Sequence, residues 1–323
     1  MKKCLVTGVA GFIGSRTAEL LLDQGVSVVG IDNCNDYYDV RLKEFRLDPL
    51  KECPNFEFYP IDIEDRDGLG KLFANNEFEV VYNLAARAGV RYSMENPYVY
   101  LSTNAAGVLN LLECMRANEV LKMVLASTSS LYAGQEMPFV ETLPVNAPIS
   151  PYAASKKAAE VMAYTYHHLY GIDVSVLRYF TVYGPAGRPD MSILRFIHEI
   201  DQGGKIPLFG DGSQSRDFTY IDDIAQGTIL AQKPLGYEIV NLGGGNNPIT
   251  ITTLIETIER FLGKKAEIDQ HPFHSADMRV TWANIEKAKT LLDWKPTIGF
   301  EEGVERSVKW YVDNRSSLKD LNF

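Results

Sequence analysis

The segment Thr7-Gly8-Val9-Ala10-Gly11-Phe12-Ile13-Gly14 constrains this chain more than any other. Its glycines follow a short apolar run, Lys3–Thr7, that reads as a strand. They open the apolar stretch Phe12–Gln24, which reads as a helix. Such a turn needs bare backbone for three reasons: the tight turn itself, close approach to a pyrophosphate, and close packing of helix on strand. The free N–H groups at the helix N-terminus then face an anion. Asp32 ends the next predicted strand, Val26–Ile31, about 20 residues on. A carboxylate there accepts hydrogen bonds from the adenosine ribose hydroxyls and repels a 2′-phosphate, so NAD is expected rather than NADP. Asp62 and Ile63, after the third predicted strand, are expected beside the adenine.

The alternation continues. Asn55–Pro60, Val80–Leu84, Met123–Ser127 and Asp173–Arg178 read as strands, and Gly68–Asn75, Ala105–Asn118 and Pro151–Tyr170 as helices. Short apolar strands alternating with helices predict an α/β fold, a doubly wound parallel (Rossmann) sheet covered on both faces. Ligands then bind outside the carboxyl ends of the strands. Beyond Tyr183, Gly, Pro and Asp become frequent and predict loops with short elements. The expected division is an NAD-binding domain over residues 1–178, rejoined by 221–243, and a smaller C-terminal lobe, mainly 179–323, for the substrate. A chain of 323 residues is long enough for two lobes around one cleft.

Composition narrows the function. A net charge of -10 argues against a nucleic-acid surface, which is normally basic. No apolar run approaches membrane-spanning length, and the one after Lys2-Lys3 is too short for a signal peptide. The cysteines Cys4, Cys34, Cys53 and Cys114 form no Cys-x-x-Cys pair. Reduced thiols, a cytoplasmic location and no metal are expected; His167-His168 lacks further ligands at helical spacing.

The chemistry centres on Tyr152 and Lys156. Four residues apart on a helix, they share one face. A lysine cation near a phenol favours the phenolate, and the lysine can also hold the nicotinamide ribose. The hydroxyl run Ser127-Thr128-Ser129-Ser130 ends a predicted strand where the active site must lie, placed to donate to a sugar oxygen and relay its proton to Tyr152.

With Asn83-Leu84-Ala85-Ala86 and Ser127–Tyr132, these motifs resemble the extended short-chain dehydrogenases/reductases, the nucleotide-sugar epimerases and dehydratases, from Lys3 to about Tyr311. Three strings are similar to the UDP-glucuronic acid 4-epimerases: Asp32–Asp39, Ala88–Ser93 and, most specific, Arg178–Met191. The resemblance implies cofactor contacts from Gly8, Gly11, Phe12, Ile13, Gly14, Asp32, Asn33, Asp62, Ile63, Leu84, Ala85, Ala86, Asn104, Tyr152, Lys156 and Tyr179. It makes Tyr152 the base for the hydroxyl on carbon 4, Lys156 its pKa-lowering partner, and Thr128 a sharer of that hydrogen bond. Ser129, Ser130, Thr181 and Arg188 would surround a substrate carboxylate. Arg216 would bind the diphosphate, Asp277 the uridine ribose, and Lys205–Leu208 the uracil. Arg279 is a further phosphate candidate. Arg91 is either an anion contact or structural.

In related dehydratases Asp-Glu follows the position of Thr128, supplying the acid and base that remove water; related decarboxylating enzymes carry a Glu in the second place. Here Ser129-Ser130 stands there, which implies a reaction that only moves a hydride. The resemblance therefore implies an isomerase that converts UDP-glucuronic acid to UDP-galacturonic acid through a 4-keto sugar. A UDP-glucose/UDP-galactose (or N-acetyl) 4-epimerase, a UDP-glucuronate decarboxylase and a non-catalytic NAD-binding regulator are the alternatives. Ala186 stands where the family usually has Trp, and Ala133 where it has Gly. A homodimer through helices 98–118 and 151–170 is also implied.

Overall fold

The computed structural model describes residues 3–245, 248–273, 278–318 and 321. The chain opens with β1 (Lys3–Thr7), α1 (Phe12–Asp23), β2 (Ser27–Ile31), α2 (Val40–Lys51), β3 (Phe56–Tyr59), α3 (Arg66–Ala74) and β4 (Val80–Asn83). There follow α4 (Val90–Glu95), α5 (Pro97–Leu101), a π-helical turn (Ser102–Ala106), α6 (Gly107–Ala117), β5 (Lys122–Thr128), a 3-10 turn (Ser129–Tyr132), α7 (Pro151–Tyr170), β6 (Asp173–Tyr179) and β7 (Thr181–Tyr183). The remainder is α8 (Ser192–Gln202), β8 (Lys205–Phe209), β9 (Ser215–Arg216), β10 (Phe218–Tyr220), α9 (Ile221–Leu230), β11 (Tyr237–Leu242), β12 (Ile249–Thr250), α10 (Ile251–Leu262), β13 (Glu267–His271), α11 (Glu286–Leu292), α12 (Phe300–Asp313) and α13 (Arg315–Leu318).

Seven strands form one sheet in the order β11-β6-β5-β4-β1-β2-β3, every pair parallel. The expected doubly wound α/β fold is therefore present. Alternate residues of each strand feed opposite cores, as strand geometry requires. Val6, Val28, Val124 and Leu177 pack on one side with Leu21 and Ile224. Leu5, Val29, Leu125 and Val176 pack on the other with Leu112 and Ala163. The chain leaves β1 for β2 on one side and continues beyond β3 to β4 on the other, so the order reverses between β1 and β4. That reversal opens a crevice at the carboxyl ends of these two strands.

Residues 237–242 return as the edge strand β11, and α9 packs against α1. Ala283, Ile285, Ala288, Leu292 and Trp294, far along the chain, also join the first core. A third core, from α8, α10 and α12, holds Ile197, Leu254, Ile258, Val304 and Val308. Three two-stranded sheets, β10-β7, β12-β9 and β13-β8, sit beyond the main one.

Two elements differ from the sequence reading. Residues 97–117 are helical throughout, with a π turn inside the helix. The π turn separates α5 from α6, and within it Asn104 bonds to Arg87 backbone and to Ser155 Oγ. Residues 40–51, unassigned in the sequence reading, form α2, whose start Asp39 caps by accepting from the Arg41 N–H.

Beneath the sheet's carboxyl edge lies a buried ion pair. Arg178 on β6 and Glu160 on α7 each expose 1% of their side chains and meet at 2.9 and 2.8 Å through two parallel bonds. Ser127 Oγ donates to Glu160 at 2.7 Å, and Arg178 donates to the Tyr132 hydroxyl at 2.8 Å. Removing one partner of such a pair strands a buried charge, so Arg178→Met is expected to destabilise the fold by about 3–5 kcal/mol. Urea denaturation checks this; a loss below about 1 kcal/mol contradicts it.

Candidate active site

At the reversal, Thr7 ties the two strand ends together. Its hydroxyl donates to Asn83 Oδ1 at 2.7 Å and accepts from the Leu84 and Ala85 N–H groups at 3.1 and 3.0 Å. Gly8 follows at φ +67°, and a Cβ there would stand 2.7 Å from the Ala85 backbone. Cβ atoms at Gly11 and Gly14 would strike the Gly8 carbonyl. No side chain caps α1 at Gly11, so its first N–H groups remain available for an anion. The turn is thus a cradle of bare backbone, and it fits a dinucleotide pyrophosphate.

A cleft of about 360 Å³ runs from this turn to α7. Asp32 sits at the turn's far end, its Oδ2 accepting from the Ala10 N–H and its Oδ1 from the Cys34 N–H. Asn33 donates to Asp62 at 2.5 Å. Gly8, Gly11, Phe12, Ile13, Gly14, Asp32, Asn33, Asp62, Ile63, Leu84, Ala85, Ala86 and Tyr179 all line the cleft. Asn104 does not. It is 1% exposed and holds the Arg87 backbone instead.

At the other end, β5 delivers Thr128 and α7 delivers Tyr152 and Lys156. Ser150 caps α7 by accepting from the Ala153 N–H, and Pro151 suits its first turn. Thr128 accepts from the Ser130 N–H at 3.1 Å and bonds to the Tyr152 phenol. Burial pushes the Tyr152 pKa up, while the Thr128 hydroxyl and then the charge of Arg188 pull it down. Lys156 lines the cleft beside Tyr152. Its Nζ donates to the Ala126 carbonyl at 3.0 Å, and burial pushes its pKa down to about 8, against the pull of Glu160.

Ser129, Ser130, Thr181 and Arg188 line the same end of the cleft. Arg91, Lys205, Leu208, Arg216 and Arg279 do not. The Arg91 guanidinium stacks 3.8 Å from the ring centre of Phe209, at the end of β8. Leu208 is buried and Lys205 exposed in β8. Arg216 donates to the backbone carbonyls of Ser215 and Arg279, and Arg279 stacks on Phe273. Asp277 lies outside the described residues.

Sequence reasoning missed Lys43, Arg87 and Asn35, which also line the cleft. Lys43, from α2, is 5% exposed with its ammonium 3.9 Å from Asp32. Leu42, Arg46 and Leu50, four residues apart after the Asp39 cap, were the available signal for that helix.

Comparisons place this geometry. The family model described as GDP-mannose 4,6 dehydratase matches residues 5–307. The UDP-glucuronate 4-epimerase of Thermodesulfobacterium geofontis is 60% identical over 98% of this chain and 98% of its own length. The crystal structure of the UDP-glucuronic acid 4-epimerase from Bacillus cereus, in complex with UDP-glucuronic acid and NAD, superposes with a TM-score of 0.91 at 37% identity. It covers 96% of this chain and 99% of that one. The Thermotoga maritima UDP-glucose 4-epimerase with UDP-glucose gives 0.87 at 31% identity, covering 97% and 99%.

Gly8→Ala should weaken NAD binding at least about tenfold, because alanine there adds both backbone strain and a clash with Ala85. Calorimetric titration of the NAD-stripped protein checks it; unchanged affinity refutes the cradle.

Proposed function

The chain belongs to the extended short-chain dehydrogenase/reductase family, with the UDP-glucuronate 4-epimerases, and from that premise we propose that it interconverts UDP-glucuronic acid and UDP-galacturonic acid. It is an isomerase that uses NAD as a resident cofactor. NAD bound there would supply a hydride acceptor and donor for carbon 4, with no net consumption of the cofactor. The bare glycine turn, Asp32 with its two backbone anchors, and the joined Asn33–Asp62 pair are the residues that would hold it.

Tyr152 takes the proton from the carbon-4 hydroxyl and gives it back after the sugar has turned over. Thr128 supports the phenolate: its oxygen already accepts from the Ser130 N–H, so its own proton points to Tyr152. Arg188 adds a positive charge at the same end of the cleft. Tyr152→Phe is expected to lower kcat by about 10²–10⁴-fold while NAD occupancy stays unchanged. Stopped-time assays with absorbance of the released nicotinamide check both; a loss below tenfold would contradict the assignment.

The observation that carries the uronate reading is the paired hydroxyls of Ser129 and Ser130 beside Thr128, in a cleft that also holds Thr181 and Arg188. Neither Ser129 nor Ser130 is an acid that could remove water or repel a carboxylate, and Arg188 can grip one bidentately. The grip has a chemical purpose. A 4-keto uronate is a β-keto acid, which loses CO₂ readily unless its carboxylate is held near the carbonyl plane. Ser129→Ala combined with Ser130→Ala should therefore raise CO₂ release per turnover severalfold, read with carboxyl-labelled substrate; unchanged leakage sinks the idea.

A homodimer is supported by apolar side chains on the surfaces of α5 and α7. Tyr98 is 82% exposed, and Leu101, Val161, Tyr164 and Leu169 are each more than half exposed. Such clustering on two helices marks an interface. Light scattering should give twice the chain mass of 36.2 kDa; a monomer at micromolar concentration contradicts it. Among the described residues no helix is long and apolar enough to cross a membrane.

A further inference from the structure

Arg188 and Asp190 are separated by one proline and face each other across a tight turn. The Met191 N–H donates to the Arg188 carbonyl at 3.2 Å, closing that turn. Pro189 fixes its own φ, which limits the arrangements open to the two flanking side chains. Asp190 accepts from Arg188 Nε at 2.9 Å and from Nη2 at 2.5 Å. Arg188 is the only partner of Asp190 among the described residues. The Tyr37 ring lies 5.8 Å from the guanidinium carbon.

A guanidinium has two edges that can hold a carboxylate with two parallel bonds. One is formed by Nε and Nη2, the other by Nη1 and Nη2. Asp190 occupies the first. The second has no hydrogen-bond partner among the described residues, and Arg188 lines the cleft with Thr128, Ser129, Ser130, Tyr152 and Thr181. A long arginine side chain free in a cleft would lose considerable rotamer freedom on gripping a ligand. Arg188 has surrendered that freedom already, to Asp190 and Tyr37.

We propose that Asp190 is a specificity-setting positioning residue. It clamps one edge of Arg188 so that the open edge is preset for the carboxylate of a uronate, and it does nothing for a neutral hexose. The proposal rests on the uronate reading above. It also separates two opposed roles for an acid in this position. A competitor would have to be displaced by the substrate. A clamp stays in place, because each carboxylate has its own edge, and the partial exposure of Asp190 lets water screen the repulsion between them.

The experiment measures KM and kcat for UDP-glucuronate, and Kd for UDP-glucose, in the wild-type holoenzyme and in Asp190→Ala, Asp190→Glu and Arg188→Ala. Asp190→Ala is expected to raise KM for UDP-glucuronate about tenfold with kcat held within about twofold, the pattern of lost preorganisation. UDP-glucose affinity should not move, and Asp190→Glu, which keeps the charge, should restore most of the loss. A fall in KM for Asp190→Ala would show a competitor and overturn the proposal. An equal loss of UDP-glucose affinity would reduce Asp190 to a loop-shaping role and overturn it as well. If Arg188→Ala leaves the preference for UDP-glucuronate intact, the uronate reading itself fails, and the proposal with it.

Discussion

The approach of two strand ends is the constraint on which this molecule's chemistry depends. β1 and β4 are neighbours in the sheet, but the chains leaving them diverge, and Thr7 pins the divergence with one hydroxyl that serves Asn83, Leu84 and Ala85 together. With the β4 exit drawn in, Gly8 has Ala85 backbone where a side chain would go. The outcome is a backbone-lined crevice whose position is set by strand pairing rather than by loop conformation. Function then needs only that other strands deliver their ends to the same edge. β5 does so with Thr128, and β6 does so with Tyr179 and the segment beyond it.

Electrostatics in and beneath the cleft is arranged around cations with unequal partners. Arg178 is fully neutralised by Glu160 and acts as a structural pin between α7 and β6. Lys156 donates to a backbone carbonyl, and burial depresses its pKa against the pull of Glu160. Arg188 is half satisfied, one edge filled and one open, and its charge reaches Tyr152. A site that must hold an anionic sugar and a transient phenolate is served by a cation whose counter-ion leaves one edge free.

Much of this was legible in the sequence, and the exceptions have physical causes. The sheet's strands were readable because they are buried on both faces, so apolar runs between turn signals mark them directly; β5 is buried at every position. The glycine turn, Asp32, Tyr152 and the hydroxyl run were readable because each sits at a fixed place relative to a strand or helix. α2 was not, because its inward face carries Lys43 and Arg46, which look like surface residues until the cleft supplies their surroundings. The π turn in residues 102–106 was invisible for a different reason. Its sequence is compatible with an unbroken helix, and the extra residue is demanded by Asn104 reaching the Arg87 backbone. Arg91, Arg216 and Arg279, expected to meet the substrate, engage aromatic rings and backbone outside the cleft, an arrangement that spacing along the chain does not encode.

The site described above is built for a hydride-only reaction on a uronate, with cofactor already in place. Its most direct test is to incubate the purified protein, with no added NAD, with UDP-glucuronic acid and separately with UDP-glucose, and to follow both by NMR. UDP-galacturonic acid is expected from the first and little change in the second. Turnover of UDP-glucose with UDP-glucuronic acid untouched would contradict it. Such a result would leave the fold and the Tyr152 chemistry standing, and would remove the carboxylate pocket of Ser129, Ser130, Thr181 and Arg188.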